Sequence, residues 1–138
     1  MEPQGRGEIK LYTDGAARGN PGPAGAGVYI TDATDQVLIE KAVYLGETTN
    51  NVAEYQALLI GLELSLQLSP QRLLVQMDSE LIVRQLSGRY RVTSPRLVPL
   101  YRRARELLAS FRETRVVHIP REKNCKADRL SNQAIDQH

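Results

Sequence analysis

The order of residue patterns along the chain predicts one α/β domain: a five-stranded mixed sheet, with a three-strand antiparallel meander and two parallel strands, flanked by helices. Three observations carry this. The first 45 residues hold three stretches of strand character separated by turns, and from residue 50 onward helical and strand patterns alternate. No linker, repeat or low-complexity tract divides the 138 residues, a length that suits a single core.

Each element follows from its pattern. Over residues 8–13, Ile9 and Leu11 alternate with Lys10 and Tyr12, the period of a strand. Residues 15–25 are rich in Gly and Pro and read as a loop whose small residues let a ligand backbone come close. The run Val28-Tyr29-Ile30 and residues 37–45 complete the meander around a polar turn at 31–36. Asn50-Asn51 opens a helix to about residue 68, with Val52, Tyr55, Leu58, Leu59 and Leu62 on one face, and Ser69-Pro70 stops it. Residues 73–77 form a short apolar strand, and Asp78-Ser79 starts a second helix that ends at Gly88. Beyond Pro95, a third helix carries Leu97, Leu100, Ala104, Leu107 and Phe111 at helical spacing. Residues 115–119 read as the fifth strand, ended by Pro120; Ala127, Leu130, Ala134 and Ile135 mark a last amphipathic helix. Residues 1–7 are expected to be a disordered tail.

Composition narrows the function. Cys125 is the single cysteine, which excludes an internal disulfide framework and a cysteine-based zinc cluster. The longest apolar stretches fall short of the roughly 18 residues that cross a membrane, and the N-terminus lacks the apolar core of a signal peptide, so a cytosolic compartment is expected; nothing in the sequence demands more than a monomer. The formal net charge of +2 hides an asymmetry: residues 1–80 hold 5 Lys/Arg against 11 Asp/Glu, whereas residues 81–138 hold 13 against 5. An acidic region beside a basic one points to an acidic site next to a surface that holds a polyanion, the alternative being surface charges that merely segregate along the chain.

Four acids fall where such a site forms. Asp14 ends the first strand, Asp78 ends the fourth, and Glu54 and Asp128 lie in first turns of helices. In open sheets with parallel strands, sites gather at the carboxyl ends of strands and adjoining helix starts. Each acid also fits a purely structural role. Asn51 would cap its helix with Glu54 reaching back; Asp78 would cap the next; Asp128 would complement a helix dipole; Asp14 before Gly15 would shape a turn. Those roles leave unexplained why four like charges converge on one edge with no lysine beside them. Such a cluster waits for a cation, and hard divalent ions prefer carboxylate oxygens. The glycines are no dinucleotide or phosphate-loop fingerprint, because no Gly-Lys-Ser/Thr occurs and they lead into a strand.

These residues resemble a known family. Tyr12-Thr13-Asp14-Gly15 and Gly19-Asn20-Pro21-Gly22-Pro23 are similar to the opening motif of type 1 ribonuclease H. Thr49-Asn50-Asn51-Val52-Ala53-Glu54, Asp78-Ser79 and Ala127-Asp128-Arg129-Leu130 resemble its later motifs, in order, over nearly the whole chain. The resemblance implies an endonuclease that cuts the RNA strand of an RNA/DNA hybrid with two Mg2+ ions, Mn2+ being a possible substitute, leaving 5′-phosphate and 3′-hydroxyl ends. Asp14, Glu54, Asp78 and Asp128 would be both catalytic and metal-binding, with Asp14 bridging the ions. Gly15, Asn20, Thr49, Asn50, Asn51 and Ser79 would contact substrate; the asparagine amides suit a ribose 2′-hydroxyl. The other readings are a non-catalytic hybrid-binding module and a DNA-acting nuclease of the same fold.

Departures from the family pattern also carry expectations. No long basic protrusion lies between the third and fourth acids, so the chain resembles the short form of archaea and some bacteria. Hybrid binding then falls to Arg84, Arg89, Arg91, Arg96, Arg102 and Arg103, which could equally be a solvated face. Glu80 and Glu47 stand where many or some relatives carry Gln and Arg. Two alignments of the auxiliary histidine are open. One makes His118 that residue. The other, preferred, keeps His118 on a strand and leaves Arg121 or Lys123 nearest the site; Arg121 could stabilise phosphate charge but not shuttle protons.

Overall fold

The computed structural model describes residues 7–138. The expected disordered tail lies outside the described residues except for Gly7, whose carbonyl accepts from the backbone N–H groups of Gln71 and Arg72 at 3.0 and 2.9 Å. The elements in chain order are β1 (Glu8–Ala17), β2 (Gly22–Asp32), β3 (Val37–Thr48), α1 (Asn50–Gln67), β4 (Arg72–Met77), α2 (Glu80–Leu86), α3 (Val98–Ala109), β5 (Thr114–His118) and α4 (Cys125–Asp136). A single 3-10 turn, Arg121–Lys123, precedes α4. The sheet runs β3-β2-β1-β4-β5. The β1–β2 and β2–β3 pairs are antiparallel, and β1–β4 and β4–β5 are parallel. The described helices are not long and apolar enough to cross a membrane.

Alternation along β1 separates the two faces of the sheet. Leu11 and Thr13 face α1: at Gly61 a Cβ would come within 2.9 Å of both side chains, so glycine lets α1 settle onto the strand. Tyr55, Leu58 and Leu62 of α1 are fully buried against Leu11, Val28, Ile30, Val75 and Met77. Truncating such a leucine to alanine costs about 2–5 kcal/mol. α3 leans on α1 from outside, and the buried Tyr55 hydroxyl donates to Gln85 Oε1 of α2 at 2.6 Å. Asp14 faces the other side of the sheet, where α4 packs.

Three sequence expectations change here. The stretch 15–25 is not a loop: β1 continues to Ala17 and β2 begins at Gly22, leaving only a tight hairpin connection. Gly15 and Gly25 of this stretch, and Gly27 just beyond it, lie where helices press on the strands, while Gly19 and Gly22 close the turn. A Cβ on Gly27 would lie 2.0 Å from the Ala127 carbonyl oxygen, and one on Gly25 would lie 2.3 Å from that of Ser131. Only bare backbone lets α4 lie this close to β2. The cap of α1 also differs. Thr49, not Asn51, is the N-cap, its Oγ1 accepting from Val52 N at 3.3 Å, which releases Glu54 from the capping box. Ser79, not Asp78, likewise caps α2, its hydroxyl accepting from Ile82 N at 3.4 Å.

Candidate active site

β1 and β4 lie side by side and parallel, so their carboxyl ends deliver Asp14 and Asp78 to one edge of the sheet. Gly15 brings α1 to that edge. A Cβ there would sit 2.3 Å from the Ala53 carbonyl, so only glycine allows the strand to touch the first turn of α1. The Gly15 N–H then donates to Glu54 Oε1 at 2.9 Å and holds that carboxylate in place. As a result Asp14, Glu54 and Asp78 each offer an oxygen within 4.8 Å of the others.

Asp128 stands apart from this triad. It lines the same open cleft, of about 480 Å³, from the first turn of α4. Its carboxylate meets Arg121 Nη2 at 3.8 Å and Asn132 Nδ2 at 3.4 Å. The Arg121 side chain is 81% exposed, so this ion pair is loose and solvent-screened.

The electrostatics are those of a site short of positive charge. Burial pushes the Asp14 carboxyl up to about 7; nearby Asp78 and Asp128 push the same way, while the Ser131 hydroxyl and Arg121 oppose. Glu54 is held well above the usual carboxylate range by burial and by the charge of Asp14, against the Gly15 N–H. Burial also raises Asp78, against the Arg121 charge and a hydrogen bond from Asn124. Three carboxylates that resist ionising together, with only oxygen donors facing one another, are the donor set of a hard divalent cation. The residues present fit such an ion.

The expected substrate contacts fall into two groups. Asn50 and Asn51 line the cleft, and Asn51 is exposed. Asn20 and Asn50 are tied together: Asn20 Oδ1 accepts from Asn50 N at 3.0 Å, and Asn50 Oδ1 accepts from Ala17 N at 3.1 Å. Their oxygens thereby lock the β1–β2 hairpin to the start of α1, and their amide N–H groups have no partner among the described residues. Thr49 and Ser79 spend their hydroxyl oxygens as caps, and the Gly15 N–H is taken by Glu54.

His118 ends β5, opposite Met77, and turns to a separate recess with Glu80, Arg84 and Arg89. Arg121 alone of the auxiliary candidates lines the acidic cleft. Among the basic candidates, Arg84 pairs with Glu80 at 2.6 Å and stacks on Tyr90 at 5.5 Å, while Arg103 pairs with Glu63 and Glu106. None of the six arginines borders the cleft.

Reading the sequence missed four residues here. Arg18 lines the cleft and is held by Asp136 at 2.6 Å. Asn132 supports Asp128, and Ser131, fully buried, donates to Asp14 Oδ2 at 2.8 Å. Asn124, 1% exposed, donates to the Thr13 carbonyl at 3.0 Å. A usable signal existed: Asn124, Ser131 and Asn132 lie four before, three after and four after Asp128, all on its helical face.

Comparison with known proteins agrees with this geometry. A family profile described as reverse transcriptase-like matches residues 12–134. Ribonuclease HI of Halobacterium salinarum is 38% identical over 136 residues, 99% of this chain and 68% of that protein. The crystal structure of RNase H1 from that archaeon has a TM-score of 0.93 at 38% identity, covering 96% of this chain and all (100%) of that one. An RNase H1 isolated from compost, solved in complex with an RNA/DNA hybrid, is 50% identical with a TM-score of 0.87, over 94% of this chain and 97% of that one. A bifunctional protein of Mycobacterium tuberculosis is 43% identical over 130 residues, 94% of this chain; the chain spans only 36% of that relative's length. Sheet order, carboxylate edge and full-length similarity lead to one assignment: the chain belongs to the type 1 ribonuclease H family.

Proposed function

We infer that the chain is an endoribonuclease that hydrolyses the RNA strand of RNA/DNA hybrids with two divalent cations, Mg2+ by preference and Mn2+ in its place. The carrying observation is the convergence of Asp14, Glu54 and Asp78 within 4.8 Å beside a cleft edged by asparagine amides. Family membership, and a relative solved with a hybrid, support the substrate.

Asp14, Glu54 and Asp78 would hold the cations, with Asp128 joining from the rim. When bound, such cations polarise the phosphate and activate a water. The chain's own residues do the rest. The Gly15 N–H keeps Glu54 from swinging out of the cleft. The amide groups of Asn50 and Asn51, which line the cleft, would meet the ribose, where a 2′-hydroxyl distinguishes RNA from DNA. Arg121, always charged, stabilises the phosphate without moving protons. In the reaction the water loses a proton as its oxygen bonds to phosphorus, the P–O3′ bond breaks, and the departing 3′-oxygen takes up a proton, leaving a 5′-phosphate and a 3′-hydroxyl. The chain would act as a cytosolic monomer.

The test is strand-labelled RNA/DNA hybrid, RNA duplex, DNA duplex and single-stranded RNA, each with Mg2+ or Mn2+. Cleavage of the hybrid's RNA strand, abolished by EDTA and by Asp14→Asn, is expected. Hybrid binding without hydrolysis would instead identify a binding module, and cleavage of duplex DNA a different nuclease.

A further inference from the structure

Ser131 is not among the expected acids or substrate contacts, yet its hydroxyl makes the only side-chain hydrogen bond to Asp14 among the described residues. It is 0% exposed and lies on α4 one turn beyond Asp128. Its Oγ sits 2.8 Å from two acceptors, Asp14 Oδ2 and the Asp128 carbonyl. A hydroxyl carries one proton, so the two compete. The Asp128 carbonyl already accepts from Asn132 Nδ2 at 3.0 Å, and the Asp14 carboxylate, ionised once a cation is held, is the stronger acceptor. The proton therefore goes to Asp14.

The backbone around Ser131 leaves the hydroxyl little freedom. At Gly25 the bare backbone of β2 lets the Ser131 carbonyl lie close against the sheet. Seven residues earlier, Asn124 donates to the Thr13 carbonyl, the peptide unit that leads into Asp14, while its own carbonyl accepts from Asp128 N at 3.0 Å. Segment 124–131 thus grips β1 at two successive residues and carries Asp128 between the grips.

We propose that Ser131 is a positioning residue for the cation site: it fixes the rotation of the Asp14 carboxylate and ties that carboxylate to α4, the helix that also carries Asp128. The Ser131 bond takes one lone pair of Oδ2, and the plane of the remaining lone pairs is set by the helix. This rests on the reading of the cleft as a divalent-cation site for hybrid cleavage. Partners that orient ligands in this way typically change metal affinity by about 10- to 100-fold when removed.

The test compares wild type with Ser131→Ala and Ser131→Cys, the latter similar in size but a weak donor. Mn2+ alone is titrated by electron paramagnetic resonance, thermal unfolding is measured in EDTA, and hybrid cleavage is followed against Mn2+ concentration. S131A is expected to bind Mn2+ about 10-fold more weakly, with S131C between it and wild type. Half-maximal cleavage should need correspondingly more Mn2+, with kcat at saturating metal and KM for hybrid within about twofold of wild type. Unchanged Mn2+ affinity in S131A would overturn the proposal. So would equal weakening in both variants accompanied by a drop in melting temperature, because Ser131 would then serve packing alone. If wild type fails to cleave hybrid, the functional reading falls, while the Mn2+ comparison still decides the role of Ser131.

Discussion

The two sides of the acidic edge are built differently. On one side Asp14 and Glu54 are pinned by hydrogen bonds from Ser131 and Gly15, and burial lifts both above the usual carboxylate range. On the other, Asp128 and Arg121 meet at 3.8 Å in a solvent-open pair. The pinned side stores unfavourable electrostatics that a cation relieves. On the open side the ion pair is loose, and the Arg121 side chain stands largely in solvent. Rigidity and strain in the centre, adjustability at the rim, is a division of labour that substitutions can test.

The largest effect belongs to the pinned side. Asp14→Asn should abolish cleavage, by on the order of a thousandfold or more, since cation-based charge stabilisation is worth several kcal/mol. The same change should stabilise the metal-free protein. The folded pKa of Asp14, about 7, exceeds the ordinary carboxylate value, so the folded state holds the extra proton in between. Its contribution to stability therefore falls as pH rises from about 4 through 7, and D14N removes that fall. Calorimetry in EDTA from pH 5 to 8 should find the D14N advantage largest at the top of the range; an advantage independent of pH would contradict the assignment.

Next comes Gly15→Ala. Its methyl meets the Ala53 carbonyl, so β1 and α1 must part, at a cost of about 1–3 kcal/mol or more. The denaturation midpoint should drop, and cleavage should fall further than the stability loss explains because Glu54 loses its seat. Asp128→Asn, on the open side, should weaken cleavage by only about 10-fold and respond to added metal, as a change in an outer ligand does. If D128N is as damaging as D14N, the two sides are equivalent and the contrast fails. Smallest of all is Arg103→Ala. Its pairs with Glu63 and Glu106 are exposed, so melting temperature should hardly move, surface pairs contributing about 0–1 kcal/mol. A salt titration of hybrid affinity on the same variant tells whether Arg103 meets phosphate at all.

How much was legible varies by element. Helices α1, α3 and α4 could be read because apolar residues recur at helical spacing, and β4 and β5 because short apolar runs end at Asp78 and Pro120. The hairpin between β1 and β2 was obscured by composition: Gly and Pro usually mark loops, yet Gly15, Gly25 and Gly27 lie in strands where helices press on the backbone. Caps misled for a related reason. Thr49, Asn50 and Asn51 are all good capping types, and the choice of Thr49 depends on Asn50 being tied to Asn20 and Ala17.

By itself the sequence determined the order of strands and helices and the placing of four acids at strand ends and helix starts, because hydrophobic period and turn chemistry are local properties. It also contained the opposed charges of its two regions, which the net +2 conceals. Only the tertiary structure decided which acids meet. Asp14, Glu54 and Asp78 come together because glycine lets α1 touch β1 and because β1 and β4 run parallel. Asp128 stays at the rim with Arg121, while Ser131 and Asn124 reach β1 from more than 100 residues away in the chain. Such contacts depend on helix-to-sheet distances, and no spacing within the sequence encodes those.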